Sequence, residues 1–219
     1  MRRALSLATL LLVLTAAQFA ALSIEPYGDS VYDLATGVTT LPQGGVIRDN
    51  AHDLSIDATY IEYVEGDYIS AREAKMATEE VRFAAERMRY LPGREEVRLE
   101  GGVRFDSDRI EGLTAERGWI DLKAGVAVVD GSVRAAAPEL TAARLVADYR
   151  AGEVLLVAPY TYQDAQLGVT LRGQNPEKPL YLRFDAETGE VRASSQLPPE
   201  VAERLLPYAK KALPDEPLE

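Results

Sequence analysis

Cysteine is absent from the 219-residue chain, and histidine and tryptophan occur once each, as His52 and Trp119. The first absence excludes disulfides, thiolate metal sites, thiol nucleophiles and a lipidated N-terminal cysteine. Positive charge is also short: 24 Lys and Arg stand against 35 Asp and Glu, a net charge of −11. That balance opposes electrostatic attraction to a phosphate backbone, so nucleic acid is excluded as a partner class. There is no Gly-rich phosphate loop and no nucleophile paired with a base in a recognisable motif, so no catalytic residue and no cofactor is expected. Asp106, Asp108 and Glu111 are carboxylates without the fixed spacing of a calcium loop, so no metal site is expected. What the chain does have is apolar material, 47% of its residues, enough for one sizeable core.

Arg2 and Arg3 precede an apolar run from Ala4 to Ala17, broken only by Ser6, Thr9 and Thr15. This is the pattern of an export signal. Residues 1–22 therefore read either as a signal peptide, with Ala20 and Ala21 as a small-residue cleavage site, or as an N-terminal membrane anchor over residues 4–22. Either way the expected location is outside the cytoplasm, in the periplasm or cell envelope. Without the leader, 22 basic residues face 35 acidic ones, a formal charge of −13 that repels anionic headgroups except where arginines face them.

Residues 23 to 53 alternate short apolar runs with turn formers, as in Asp33-Leu34-Ala35-Thr36-Gly37-Val38. Beyond Leu54 the chain repeats itself. Segments beginning at 54, 83, 113 and 140 share one plan: a strand, a Gly turn, a β-branched run and a final Gly- or Pro-containing stretch. Within each copy apolar residues alternate with period two, the strand signature. The phase slips inside the first strand of each copy: Phe83 and Ala85 are followed by Met88 and Tyr90, Leu113 and Ala115 by Ile120 and Leu122, Leu140 and Ala142 by Leu145, Ala147 and Tyr149. An odd step turns the buried face over, which a bulge or sharp bend accomplishes. The repeats thus predict an all-β domain over 23–175, two facing sheets made of bent hairpins. A right-handed β-helix ranks second.

Pro176 and Pro179 mark a change into a terminal module, 176–219. Leu180-Tyr181-Leu182-Arg183-Phe184 and Val191-Arg192-Ala193 predict a last hairpin, and Pro198-Pro199-Glu200 opens a short helix through Val201, Leu205 and Leu206 that Pro207 should limit. The acidic last six residues read as a solvated tail. The apolar helix face suggests a cap over an open sheet edge.

The repeated phrase Ala85-Glu86 to Gly102-Val103, and Ala115-Glu116 to Gly131-Ser132-Val133, with Asp or an aromatic before a Gly turn, resembles the LptA/LptC (OstA-like) periplasmic lipopolysaccharide-transport family over about residues 54 to 163. The resemblance implies an open β-jelly roll that shelters acyl chains between its sheets and passes lipopolysaccharide-like lipid from inner to outer membrane, as part of outer-membrane assembly. A cleaved leader resembles the soluble bridging members. A retained helix resembles the members anchored in the inner membrane, which receive lipid from a transporter there. Partners implied are lipid acyl chains, other OstA-like domains paired head to tail through strand edges, and an inner-membrane transporter. The inner-face residues expected to line the lipid groove are Phe83, Ala85, Met88, Val97, Leu99, Val103, Leu113, Ala115, Val126, Val128, Leu140 and Ala142.

Other classes compete with this expectation. A structural β-repeat scaffold of the envelope would have a sealed core in place of a groove. A polysaccharide-binding module would need a row of surface aromatics, which the single Trp119 and scattered tyrosines do not supply. Arg82, Arg87, Arg89, Arg94, Arg98, Arg104 and Arg109 form the densest basic stretch and read as the solvated faces of strands, with headgroup contact as the lesser alternative. His52 reads as an exposed turn residue.

Overall fold

The computed structural model describes residues 22–79, 81–214 and 218, so the predicted leader, through residue 21, lies outside the described residues. Among the described residues sixteen strands form one continuous sheet. They are β1 (Leu22–Pro26), β2 (Val31–Tyr32), β3 (Thr39–Leu41), β4 (Gly45–Asp49), β5 (Leu54–Ala58), β6 (Tyr60–Val64), β7 (Tyr68–Ala77) and β8 (Arg82–Leu91). Then follow β9 (Glu96–Asp106), β10 (Leu113–Asp121), β11 (Val126–Ala135), β12 (Leu140–Asp148), β13 (Glu153–Asp164), β14 (Val169–Gly173), β15 (Leu180–Phe184) and β16 (Val191–Ser194). A helix, α1, spans Pro199–Lys210. From β7 to β13 each strand pairs with its sequence neighbours, all antiparallel, which excludes the parallel coils of a β-helix.

A recurring turn joins these strands. Asp33, Asp121, Asp164 and Asp185 each accept through the backbone carbonyl from a glycine four residues on, Gly37, Gly125, Gly168 and Gly189, at 2.8–3.0 Å. In each, the aspartate carboxylate also accepts an intervening amide, for example that of Ala124 at 2.8 Å to Asp121. The closing glycine sits at positive φ, which only glycine adopts without strain.

The phase slips read in the sequence are real bends. Register jumps between Ala84 and Arg87 in β8, between Ala115 and Arg117 in β10, between Asp130 and Val133 in β11 and between Ala142 and Arg144 in β12. At these breaks the backbone takes left-handed conformations at Glu73, Gly101, Gly102, Gly131 and Ser132. A Cβ added at Gly101 would run into the Glu86 side chain, and one at Gly131 into Glu116, so glycine is required where the chain crosses the fold line. The breaks align into a spine that divides the sheet into two facing half-sheets. One carries β2, β3, β6, β15, β16 and residues 87–91, 96–100, 117–121, 126–130, 144–148 and 153–157. The other carries β1, β4, β5, β14 and residues 82–84, 103–106, 113–115, 133–135, 140–142 and 160–164. The result is the all-β, bent-hairpin roll that the sequence predicts, with one short C-terminal helix.

On the inner face of the second half-sheet the side chains grow in size away from the spine. Nearest it, Ala74 faces Ala85, Val103 faces Ala115 and Val133 faces Ala142. One pleat outward come Met76 opposite Phe83, Phe105 opposite Leu113, and Leu140 opposite Tyr162. The first half-sheet grades the other way, from Leu99, Leu145 and Leu156 beside the spine to Val97, Ala147 and Val154 outward, so large side chains of one half-sheet are set where the other carries small ones. All of these side chains belong to one buried cluster.

A second, smaller cluster lies on the outer side of the first half-sheet: Trp119, Val126, Val128, Val146, Leu155 and Tyr181 under Val201 and Leu205 of α1. Pro199 at the first turn supplies a pre-set φ and Glu200 complements the helix dipole. Burying Leu205 completely contributes about 1.5–3 kcal/mol. Arg204 pairs with Asp148 at 3.1 Å and with Glu153, while Arg144 donates to the carbonyls of Ala209 and Lys211 at 3.0 and 2.6 Å. Three expectations change here. Helix α1 runs through Pro207 to Lys210, because the one hydrogen bond proline forfeits falls in a last turn already held by Arg144. It covers a sheet face, not an edge, because its Val201 and Leu205 meet the outward side chains of the central strands. Leu213 and Leu218, in and beside the stretch read as a solvated tail, are buried, and the Leu218 amide donates to Glu100 at 3.1 Å.

Candidate functional site: the open rim of the roll

Opposite the spine, the hairpin turns of the two half-sheets face each other across an open rim. Three cavities run along it. The first, 250 Å³, lies among His52, Asp53, Glu79, Leu122, Tyr149 and Arg150. The second, 320 Å³, shares Glu79 and Tyr149 with it and is floored by Val81, Phe105, Ile110, Ala147, Val154 and Phe184. The third, 390 Å³, shares Gly189 with the second and includes Tyr162 and Val191. Neighbouring cavities share wall residues and lie in line as a trench along the rim.

Two clasps span it. At one end the Tyr90 hydroxyl, from the first half-sheet, donates to Asp49 Oδ2 of the second at 2.6 Å. His52 Nδ1 stands 3.0 Å from the same oxygen and its Nε2 is 3.4 Å from Glu95 across the rim. Burial works to raise the Asp49 carboxyl, but hydrogen bonds from Tyr90, His52 and the Ala51 amide outweigh it and hold the group below the usual carboxylate range. Burial, reinforced by Asp49, pushes the Tyr90 hydroxyl far above an ordinary phenol. His52 is thus half-buried in a polar network, not an exposed turn residue, because the turn that carries it folds over the end of β8. The second clasp is Arg109, whose Nη1 donates to the Tyr149 carbonyl at 2.8 Å.

The twelve predicted groove residues divide. Phe83, Ala85, Met88, Val97, Leu99, Val103, Leu113, Ala115, Leu140 and Ala142 come together in the interior cluster, packed and at most 7% exposed. Val126 and Val128 do not join them: they lie on the outer face beneath α1, and Ala127 and Val129 take the inner positions of β11. None of the twelve lines the trench. Its floor comes from Val81, Phe105, Ile110, Val154 and Phe184, the inward apolar residues nearest the hairpin ends, and that position was the signal available in the sequence.

The arginine stretch disperses. Arg87 pairs with Glu100 at 3.3 Å, Arg98 with Glu96 at 2.8 Å, and Arg89 stacks on the Tyr68 ring 4.4 Å from its centroid. Only Arg109 reaches the trench. Asp106 accepts the Gly112 amide at 2.8 Å and serves its own loop.

No family model matches the chain, and no curated protein matches it. Among solved structures it has a weak similarity to LptH, the LptA homologous periplasmic component of the conserved lipopolysaccharide transport device from Pseudomonas aeruginosa. That similarity has 8% identity and a TM-score of 0.38, over 80% of this chain and 95% of that one. No described helix is long and apolar enough to cross a membrane.

Proposed function

We propose that the protein is an envelope carrier of acyl amphiphiles, a lipopolysaccharide-like lipid bridge between inner and outer membrane, with the rim trench as its binding site. One observation carries this: a cavity with an apolar floor opens at the rim between two half-sheets whose interior residues are packed. Each methylene buried there contributes about 0.8 kcal/mol, so a long chain is held by contacts tolerant of its identity. The export pattern of residues 1–22 agrees with such a role. So do the sheet's ends. Tyr27, Val31, Tyr32 and Leu34 are exposed beside β1 and β2, and Leu167 and Val169 beside β14, apolar edges suited to adding a strand from a similar domain.

A sealed envelope scaffold is the second reading, and the close packing of the ten interior residues favours it. Extraction of the full chain from a cell envelope, followed by lipid mass spectrometry, separates the two. The carrier reading expects near-stoichiometric lipid retained by the protein and lost on Phe105→Asp. Lipid-free protein from native envelopes overturns it in favour of the scaffold.

A further inference from the structure

We infer that the outer face of the second half-sheet binds a linear acidic polysaccharide, laid across the strands along one row of unpaired cations and seated at Arg134; this stands apart from the carrier reading above. The strand register puts Lys75 of β7, Arg104 of β9, Arg134 of β11 and Arg172 of β14 in a single row, with only Ala84 or a threonine between them. All four cations are exposed. In a chain of net charge −11, none of them forms a salt bridge among the described residues. Strand spacing sets the first three about 10 Å apart and Arg172 about 14 Å beyond Arg134. Arg104 and Arg134 hold the same place in two repeats, after Gly102-Val103 and Ser132-Val133.

Beside this row a depression of 520 Å³ opens, with Ser132, Arg134, Thr141, Pro159, Thr161 and Gln174 in its lining. Arg134 is its one charged residue, and no carboxylate lines it. Ser132 takes a φ of 50° where the preceding copy has Gly102 at 52°, so a hydroxyl is kept at the lip against a backbone cost. Hydroxyls and an amide match the hydroxyls of a sugar, and a guanidinium pairs a carboxylate through two parallel hydrogen bonds. Neutral sugars would need aromatic rings to stack on, which the row lacks; an acidic sugar is held by charge instead. The acids of this face stand in the rows on either side, two residues along the strands and about 7 Å away: Glu73, Glu86 and Glu116 toward the spine, Asp106 and Glu139 toward the rim. A broad anionic surface such as a bilayer would meet those acids together with the cations, and would find no aromatic or large aliphatic side chain in the row to enter it. A chain one row wide meets the cations alone. The net negative charge of the protein repels a polyanion, but at physiological salt that reach is about 8 Å, so the nearest row decides.

Polygalacturonate oligomers serve as the probe, with the same oligomers fully methyl-esterified as the uncharged control and phosphatidylglycerol vesicles as a broad anionic surface. Binding of each to the full chain is measured by calorimetry at low and high salt. The acid oligomers should bind, more weakly as salt rises, and the ester and the vesicles should not. The triple variant Arg104→Gln, Arg134→Gln, Arg172→Gln should weaken binding about tenfold, and Arg134→Gln should account for the largest single share. Lys178→Gln, Arg183→Gln, Arg192→Gln together remove the same charge away from the row and should leave binding nearly unchanged, and all these variants should keep the native circular dichroism spectrum. Equal binding of acid and ester, equal losses in the two triple variants, binding of vesicles in place of the oligomer, or no binding at all overturns the inference and leaves the carrier reading untouched.

Discussion

The spine and the rim of the roll are built by the same strands and behave oppositely. Along the spine, Ala74, Ala85, Ala115 and Ala142 of the second half-sheet lie in the same cluster as Met88, Leu99, Leu145 and Leu156 of the first, and one pleat outward Met76, Phe83, Leu113 and Leu140 continue the packed interior. At the rim cavities remain between the half-sheets, and the described residues bridge it through Tyr90 and Glu95 with Asp49 and His52 at one end and through Arg109 to Tyr149 further along. The lesson is that a roll of two half-sheets can close its interior by packing and still leave cavities along its mouth. Substitutions should sort accordingly: those in the packed interior or in a clasp change folding, and those on the exposed trench walls leave it nearly unchanged.

The largest effect expected is in the interior. Leu99→Ala removes a side chain that is 2% exposed and should lower unfolding free energy by about 2–5 kcal/mol, read from the urea midpoint. A loss below that of an ordinary surface change would mean the interior is loose enough to admit ligand. Next comes the clasp. Tyr90→Phe leaves the buried Asp49 carboxylate without its shortest hydrogen bond, at a cost of about 1–3 kcal/mol.

That clasp also has a pH signature. The folded Asp49 carboxyl lies below its ordinary value, so its contribution is present above the ordinary carboxylate range and lost as pH falls through the lower, folded value. Urea midpoints taken from neutral to acid should therefore fall for the native chain, and fall less for Tyr90→Phe. Parallel curves would show that the clasp does not hold the rim.

At the spine, Gly101→Ala puts a side chain at positive φ against Glu86 and should cost about 1–2 kcal/mol in the same measurement. The smallest stability effect belongs to the trench wall: Glu190→Gln, exposed there, should stay within about 0.5 kcal/mol of the native value in the same measurement.

The strands, their bends and the last hairpin were legible because one buried face imposes period two, and because each bend flips the phase of that pattern at Ala85, Ala115 and Ala142. The pattern fails where a strand is covered on both sides. In β11, Val126 to Asp130 are all buried, inward by the roll and outward by α1, so nothing in that run distinguished Val126 and Val128 from the inward Ala127 and Val129. The trench was illegible for a different reason. Its walls come from turns far apart in sequence, such as Glu79, Asp108, Tyr149 and Gly189, and only the folding of one half-sheet onto the other brings them together. His52 was misjudged alike, since its partners Tyr90 and Glu95 lie on the opposite half-sheet.

Two photo-crosslinking side chains test the division between mouth and interior most directly, one replacing Phe105 on the trench floor and one replacing Leu99 behind it. Each is introduced into the full chain and irradiated in intact envelopes. The account predicts lipid adducts at Phe105 and only intramolecular adducts at Leu99. Lipid at Leu99, or at neither position, would contradict it.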